Sequence, residues 1–553
     1  MPDILSIANT GIAAAQTAIN VTGQNIANVS STGYSRENVQ QTSSNTGQGT
    51  QIIGVTRIYN DFLASQANSA NTSSSSSSVQ YAQVQALNSI LTDPNAGISS
   101  TMSSFFNSLQ DVANSPSDIA PRQSAIGAAQ NLTSAINFVQ STIDNINSDI
   151  NTQLTQSVTR INQYANQILT LNKQIVGTAD QETLNSLKDQ RDAVVNSLSK
   201  EIKVSVINQN NQYLVSVGSG VPLLDTTQTF PLKTTSNIYN PSQTEVVLSG
   251  TNNSIFTTQN SPGGIIGGLI NFRTKILNPA SNSVGQVALS LATQVNNAQS
   301  LGSSLTAATP PTGQALFNVG NIFVKASANN QSNSNISVAF NSSPAANPNN
   351  PLDYLNQVTT SDYTFSFDGT HYQLTRDSDG TVLQSQTSTA DMVADGMKIS
   401  IPAGLQSGDS FKISPTANAA RSFSLMTTDP LSIAAAGGGA LTPANVSSGD
   451  NSNMVNLLNI QTNKLINGGS SNVFTAFNQF ISAIGSQSHE LQVQSTFDAS
   501  VAQKSAQALQ NDSGVNLDEE AANLIKFQQA YQASGKVMQV AKQMFDSLLN
   551  MAQ

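Results

Sequence analysis

Cysteine and tryptophan are both absent from the 553 residues. Without thiols there is no disulfide framework, no thiolate nucleophile and no cysteine-based metal site. So long a chain without cysteine fits a protein that leaves the reducing cytosol. Charge is scarce as well. Asp, Glu, Lys and Arg make up 10% of the chain, against about 25% in typical soluble proteins, and Ser, Thr, Asn and Gln take their place. The balance is acidic, with a formal net charge of −10, so a phosphate backbone is a poor partner and no nucleic acid is expected. Histidine occurs twice, as His371 and His489. Neither has carboxylates at metal spacing, and no metal or cofactor is expected. No stretch approaches 18 consecutive apolar residues, so no membrane span is expected. The N-terminus has Asp3, no Lys or Arg before Arg36 and no unbroken apolar segment, unlike a cleavable secretory signal. That leaves a cytosolic protein, or one exported by a route that reads something else.

Templates for catalysis are missing too. The string PGGIIGGLINFR (262–273) lacks the glycine spacing and the following Lys-Ser/Thr of a phosphate-cradling loop. Asp377-Ser378-Asp379-Gly380 begins like a calcium loop but lacks the third acid and the closing Glu, and reads as a hairpin turn. No G-x-S-x-G elbow occurs. A structural protein is expected, and no enzyme.

What the chain does have is periodicity. Leu524, Phe527, Tyr531, Ser534, Met538, Ala541, Phe545 and Leu548 alternate spacings of three and four, one apolar seam on a helix. Asp518, Glu519 and Glu520 occupy its first turn, where the macrodipole favours acid. Leu5, Ala8, Ile12, Ala15, Ile19, Thr22, Ile26 and Val29 repeat the step near the other end. Neither helix buries its stripe alone, which predicts a coiled-coil-like stem of paired ends with everything else looped out from it. Asn25 to Arg36 reads as a helix end and loop, Gly33 supplying the positive φ. Ser73 to Ser78, an unbroken serine run, reads as a flexible joint between stem and body. Residues 79–200 read as helical, and the seam from Leu132 to Ile175 predicts a helix of about 44 residues, roughly 65 Å long. From Lys200 the period shortens: Val204 to Val217 reads as a hairpin, and Asp225 to Thr258 as more strand and turn. Ala280 to Leu301 is a return helix, and Ala315 to Ala339 carries weak strands. Tyr363, Phe365 and Phe367 alternate into Asp368-Gly369 and then Tyr372 and Leu374, a strong hairpin signal. From about Leu431 the helical period resumes. The expected fold class is mixed, mainly α with β insertions. Residues 1–62 with 515–553 form the stem, and 63–200 with 431–514 a long-helix bundle body. Residues 201–301 form a β-rich domain with a return helix, and 302–430 an outer β-rich domain.

Four strings also carry a resemblance. NIANVSSTGYSR, about 25 residues from the start, resembles the signature of bacterial flagellar axial proteins: rod, hook and hook-associated proteins. SGVNLDEEAANLIKFQQAYQASGKVMQVAKQMFDSLLNM resembles the C-terminal segment of the hook-associated family at the hook–filament junction. SFFNSLQDVANSPSDIAPRQSAI (104–126) and LNSLKDQRDAVVNSL (184–198) resemble its body helices. The resemblance implies a ring-forming homo-oligomer at the hook tip that contacts the hook protein and a second junction protein. It also implies export through the flagellar apparatus, an extracellular location, and a cytosolic chaperone on the C-terminal helix. On that basis Leu524, Phe527, Tyr531, Met538, Phe545 and Leu548 are the expected chaperone- and neighbour-binding stripe. Leu5, Ile12, Ile19 and Ile26, with Asn25, Asn28, Gly33 and Tyr34, are the expected N-terminal stripe and signature. The N-terminal loop suits a hook or distal-rod protein equally. A secreted β-rich adhesin with a coiled-coil stem is a reading of a different class.

Overall fold

The computed structural model describes residues 2–43, 49–92, 97–249, 262–306, 312–342, 352–438 and 448–552. Helix α1 (Pro2–Ala27) leads into the hairpin β1 (Glu37–Ser43) and β2 (Thr50–Arg57). Four helices follow: α2 (Asp61–Leu91), α3 (Ile98–Asn114), α4 (Ile119–Gly177) and α5 (Gln181–Glu201). Asn60 starts α2 by accepting from the backbone N–H groups of Phe62 and Leu63, at 3.1 and 3.2 Å. At 59 residues, α4 runs about 88 Å. It begins well before Leu132 because Pro121 falls in its first turn, where a missing N–H is harmless.

The strands β3 (Val204–Gln209), β4 (Gln212–Val217) and β5 (Val221–Leu224) form one small antiparallel sheet. A second pair, β6 (Leu232–Ser236) and β7 (Thr244–Leu248), forms another. Asparagines on the helices receive these strands. Asn172 of α4 exchanges two hydrogen bonds with the Tyr213 backbone, at 2.9 and 3.0 Å. Asn162 does the same with Leu232, both at 2.9 Å, and Asn151 bonds Thr244 N and Ser242 O. A side-chain amide offers one donor and one acceptor in the plane a neighbouring strand would use. The chain's amide richness is in part this docking chemistry. Tyr213, Val215, Leu223, Leu232 and Val246 share one continuous core with the helices.

The chain returns through α6 (Gly264–Phe272), a π-helical turn (Arg273–Leu277) and α7 (Asn278–Leu301). Outer strands follow: β8 (Phe323–Ala326), β9 (Ser337–Phe340), β10 (Tyr363–Phe367), β11 (Tyr372–Arg376), β12 (Thr381–Gln386), β13 (Met392–Ala394), β14 (Met397–Ser400) and β15 (Ser410–Ser414). They make a five-stranded sheet in the order β8-β15-β10-β11-β12 and a three-stranded sheet in the order β9-β14-β13. A separate core lies between them, built on Tyr363, Phe365, Leu374, Met397, Phe411 and Ile413. The Asp368-Gly369 hairpin forms with Phe367 opposite Tyr372 and Gly369 at φ +99°. Asp377 to Gly380 is a turn between β11 and β12. Two long helices close the chain, α8 (Val473–Ser513) and α9 (Leu517–Ala552).

The structure corrects two expectations. The serine run is no flexible joint: Ser73–Ser78 lies inside α2. A Cβ placed on Gly268 of α6 would sit 2.6 Å from the Ser76 carbonyl oxygen and 2.3 Å from Val79 Cγ1. Small side chains there let α6 cross α2 at backbone contact, and Thr72 donates to the Ser199 carbonyl at 2.6 Å beside it. The second correction concerns α1. The 24 residues Ile4–Ala27 contain an 18-residue window with a mean hydropathy of 1.2, long and apolar enough to cross a membrane by length and composition alone. Uncharged Asn, Thr and Gln break up its apolar runs without lowering that mean enough to exclude it.

Candidate functional site: the terminal stem and its polar clamp

Helices α1 and α9 pack antiparallel. Gly11 lies against Ser534, where an added Cβ would come 2.8 Å from Ser534 Oγ, and Asn25 meets Glu520. Both pairs sum to 545, so the register holds over 14 residues. Small side chains make the approach close: Ala8, Ala15, Ala18 and Thr22 are buried on α1, and Ala541 on α9. Leu5, Ile12, Ile19 and Ile26 are half-buried along the stem. Of the C-terminal stripe, Leu524, Phe527 and Met538 are half-buried. Tyr531, Phe545 and Leu548 stay 43%, 47% and 48% exposed. Towards the end of α9 the exposure continues, at Leu549 and Met551.

At the other end of the stem a polar clamp ties it to the body. Asn25, 1% exposed, donates to Glu37 O at 2.9 Å and to Glu520 Oε2 at 3.1 Å. Its Oδ1 accepts from Tyr34 Oη at 2.8 Å and Glu37 N at 3.0 Å. Arg36 pairs with Glu520 at 2.7 Å and Glu519 at 2.5 Å, and its N–H donates to Ser513 O at 2.8 Å. Ser35 Oγ donates to Asp189 of α5 at 2.7 Å. Arg57 of β2 bridges Asp189 and Asp192 at 2.7 and 2.6 Å. Gly33 takes φ +85° to turn the chain back, and Asn28 donates to Gln24 O at 3.0 Å in the last turn of α1. Burial, then the nearby Glu37 carboxylate, raises the Tyr34 hydroxyl above its ordinary value. Burial also raises Glu37, with Asp189 and Glu182 adding to it against the Asn185 hydrogen bond. Such a network fixes the angle at which the stem leaves the body.

Sequence reasoning found Asn25, Gly33, Tyr34 and the acidic turn, but not their partners. Arg36, Asp189 and Arg57 were not singled out. One signal was available: Arg36 is the first cation of the chain and stands nine residues from the expected helix end, within reach of any acid docked there.

Known proteins share both regions. The FlgK helical-domain family of flagellar hook-associated proteins matches residues 84–317. The D2-like domain of flagellar hook-associated protein 1 matches 336–415, and the C-terminal family of the flagellar basal body rod FlgEFG proteins matches 506–551. Flagellar hook-associated protein 1 of Salmonella typhimurium strain LT2 is 30% identical over 567 aligned residues, covering 100% of both chains. The chain belongs to the flagellar hook-associated protein 1 family. The Escherichia coli K12 member is 29% identical, again over the whole of both chains. The flagellar hook junction protein FlgK from Burkholderia pseudomallei superposes with a TM-score of 0.72 at 26% identity. It covers 81% of this chain and 99% of that one. Membership over the full length decides against the hook, distal-rod and adhesin readings. The rod-type match falls on α9, the segment this family has in common with other axial proteins.

Proposed function

We infer that this chain is a structural subunit of the bacterial flagellum, forming the junction between hook and filament. It assembles at the hook tip and is required for filament attachment. The exposed end of α9 carries this reading beyond family membership. Phe545, Leu548 and Leu549 lie exposed along it, and so large an apolar face needs a neighbour. Copies of the same chain in a ring, the hook protein below and a second junction protein above are the partners that fit. Before assembly, a cytosolic export chaperone covers the stripe Leu524, Phe527, Tyr531, Met538, Phe545 and Leu548. The chain leaves through the flagellar export apparatus, and its role is architectural, not enzymatic. Residues 1–62 with 515–553 serve as the axial stem, 63–200 with 431–514 as the body, and 201–301 and 302–430 as the outward parts.

Electron microscopy of a strain lacking the gene, with flagellin assayed in the medium, tests the junction role. Hooks without filaments and flagellin lost to the medium are expected. Missing hooks, or normal filaments, overturn it. The chaperone role is separate: Phe527→Asp with Phe545→Asp should abolish capture of the chaperone in a pull-down, and undiminished capture refutes that assignment.

A further inference from the structure

A cleft of about 700 Å³ opens between α4, the β6–β7 hairpin, the π-helical turn and the outer strands. That is the size of a small-molecule site, about 300–1,000 Å³, and three observations distinguish it from a gap left by packing. The first is the π-helical turn itself, which interrupts the helix running from Gly264 to Leu301. Arg273, Thr274 and Leu277 of that turn line the cleft, and such turns are frequent at functional sites.

The second is unspent hydrogen-bonding capacity. Arg273 is 4% exposed. Its Nη1 donates to Thr244 O at 2.8 Å, while its Nε is buried without a partner. Asn147 donates to Ser242 O at 3.0 Å, while its Oδ1 is likewise buried and unpartnered. Buried polar groups are ordinarily paired, and here two on one wall are not.

The third is the lining chemistry. Three acids, Asp144, Glu245 and Asp362, face three bases, Arg273, Lys412 and Arg421. Arg421 pairs with Asp144 and Lys412 with Asp377, and Asp362 accepts from Asn282 at 3.0 Å. Such an internally balanced set leaves no net field for an ion. Around it stand amides that already exchange hydrogen bonds as both donors and acceptors: Asn237 donates to Glu245 and accepts from the Tyr239 and Asn240 N–H groups, and Gln243 donates to Asn278 Oδ1 at 3.1 Å. Hydroxyl groups match such a lining because they also do both. Tyr239 and Phe323 add flat apolar faces, and Tyr239 is held by its hydroxyl against Ser410 Oγ at 3.0 Å.

We propose that this cleft binds a neutral oligosaccharide. Arg273 and Asn147 read its hydroxyls, and Tyr239 and Phe323 receive the C–H faces of its rings. The test is saturation-transfer NMR on the full chain with maltotriose, chitotriose and sialyllactose as probes, followed by titration calorimetry. Transfer from at least one neutral sugar is expected, exceeding that from acidic sialyllactose. Asn147→Ala and Tyr239→Ala should each weaken binding about tenfold, the loss of one good contact. Asn147 lies on the face of α4, where alanine favours the helix, so that variant stays folded and its unchanged circular dichroism checks this. Absence of transfer from both neutral sugars, undiminished binding by both variants, or a preference for sialyllactose overturns the proposal.

Discussion

Asn25 serves as a junction in one side chain, spending its amide on Glu37, Tyr34 and Glu520 at once. Replacing it by alanine strands a buried N–H, a hydroxyl and a carboxylate oxygen. Each unsatisfied buried group costs about 1–3 kcal/mol, so Asn25→Ala should lower stability by at least that much. Urea unfolding checks this, and cleavage in the 28–36 loop by a protease should accelerate; unchanged stability would show that the clamp is ornamental. Glu37 works against the clamp at neutral pH. Its folded pKa is raised above 4.5, chiefly by burial, and its Oε2 is buried without a partner. A group raised in the folded state contributes stability fully below its unfolded value and loses it as pH rises through the folded value. Glu37→Gln should therefore raise the thermal midpoint at neutral pH and bring no gain near pH 4. Scanning calorimetry at the two pH values checks the sign.

At the level of elements, the recurring device is the helical asparagine that completes a strand. Asn151, Asn162 and Asn172 stand 11 and 10 residues apart on α4, close to three turns each. They meet β7, β6 and β4 in that order. The seam on α4 drifts because Ile146, Ile150, Leu154 and Val158 step by four, and all four are buried. The helix presents a rotating face, first to α3 and then to strands, and the asparagines set where each strand lands. Asn172→Ala leaves both backbone groups of Tyr213 unpaired in the core, and a loss of about 2–3 kcal/mol is expected. Hydrogen exchange should show the Tyr213 amide of β4 losing its protection before the amides of α4. Persisting protection would assign the strand's position to the apolar core alone.

For the whole molecule the decisive feature is the apolar face that the paired terminal helices leave open. Phe545, Leu548, Leu549 and Met551 all lie exposed in the last turns of α9. Phe545→Asp with Leu548→Asp should change the stability of the isolated chain by no more than about 0.5 kcal/mol, as for exposed sites. It should nevertheless abolish filament attachment when it replaces the wild-type gene. A fall in the thermal midpoint comparable to a core substitution would instead make these residues part of the chain's own fold. The stem thus combines two properties: small-residue packing that holds the ends together, and an apolar face that this packing leaves exposed.

The amino-acid sequence determined what periodicity and turn chemistry encode. The terminal seams, the long α4 helix and the Asp368-Gly369 hairpin were all legible, since each depends on neighbours a few residues apart. So was the family, carried by short strings at both ends. Only the tertiary structure decided the rest, because those features depend on partners hundreds of residues away. The serine run is a helix because Gly268 crosses it. Ala8, Ala15 and Ala18 form the close centre of the seam because small side chains let antiparallel helices approach. The meeting of Asn25 with Glu520, 495 residues apart, has no local signature. Register is likewise a property of the packed pair, and only the packed structure shows Phe545 and Leu548 left exposed.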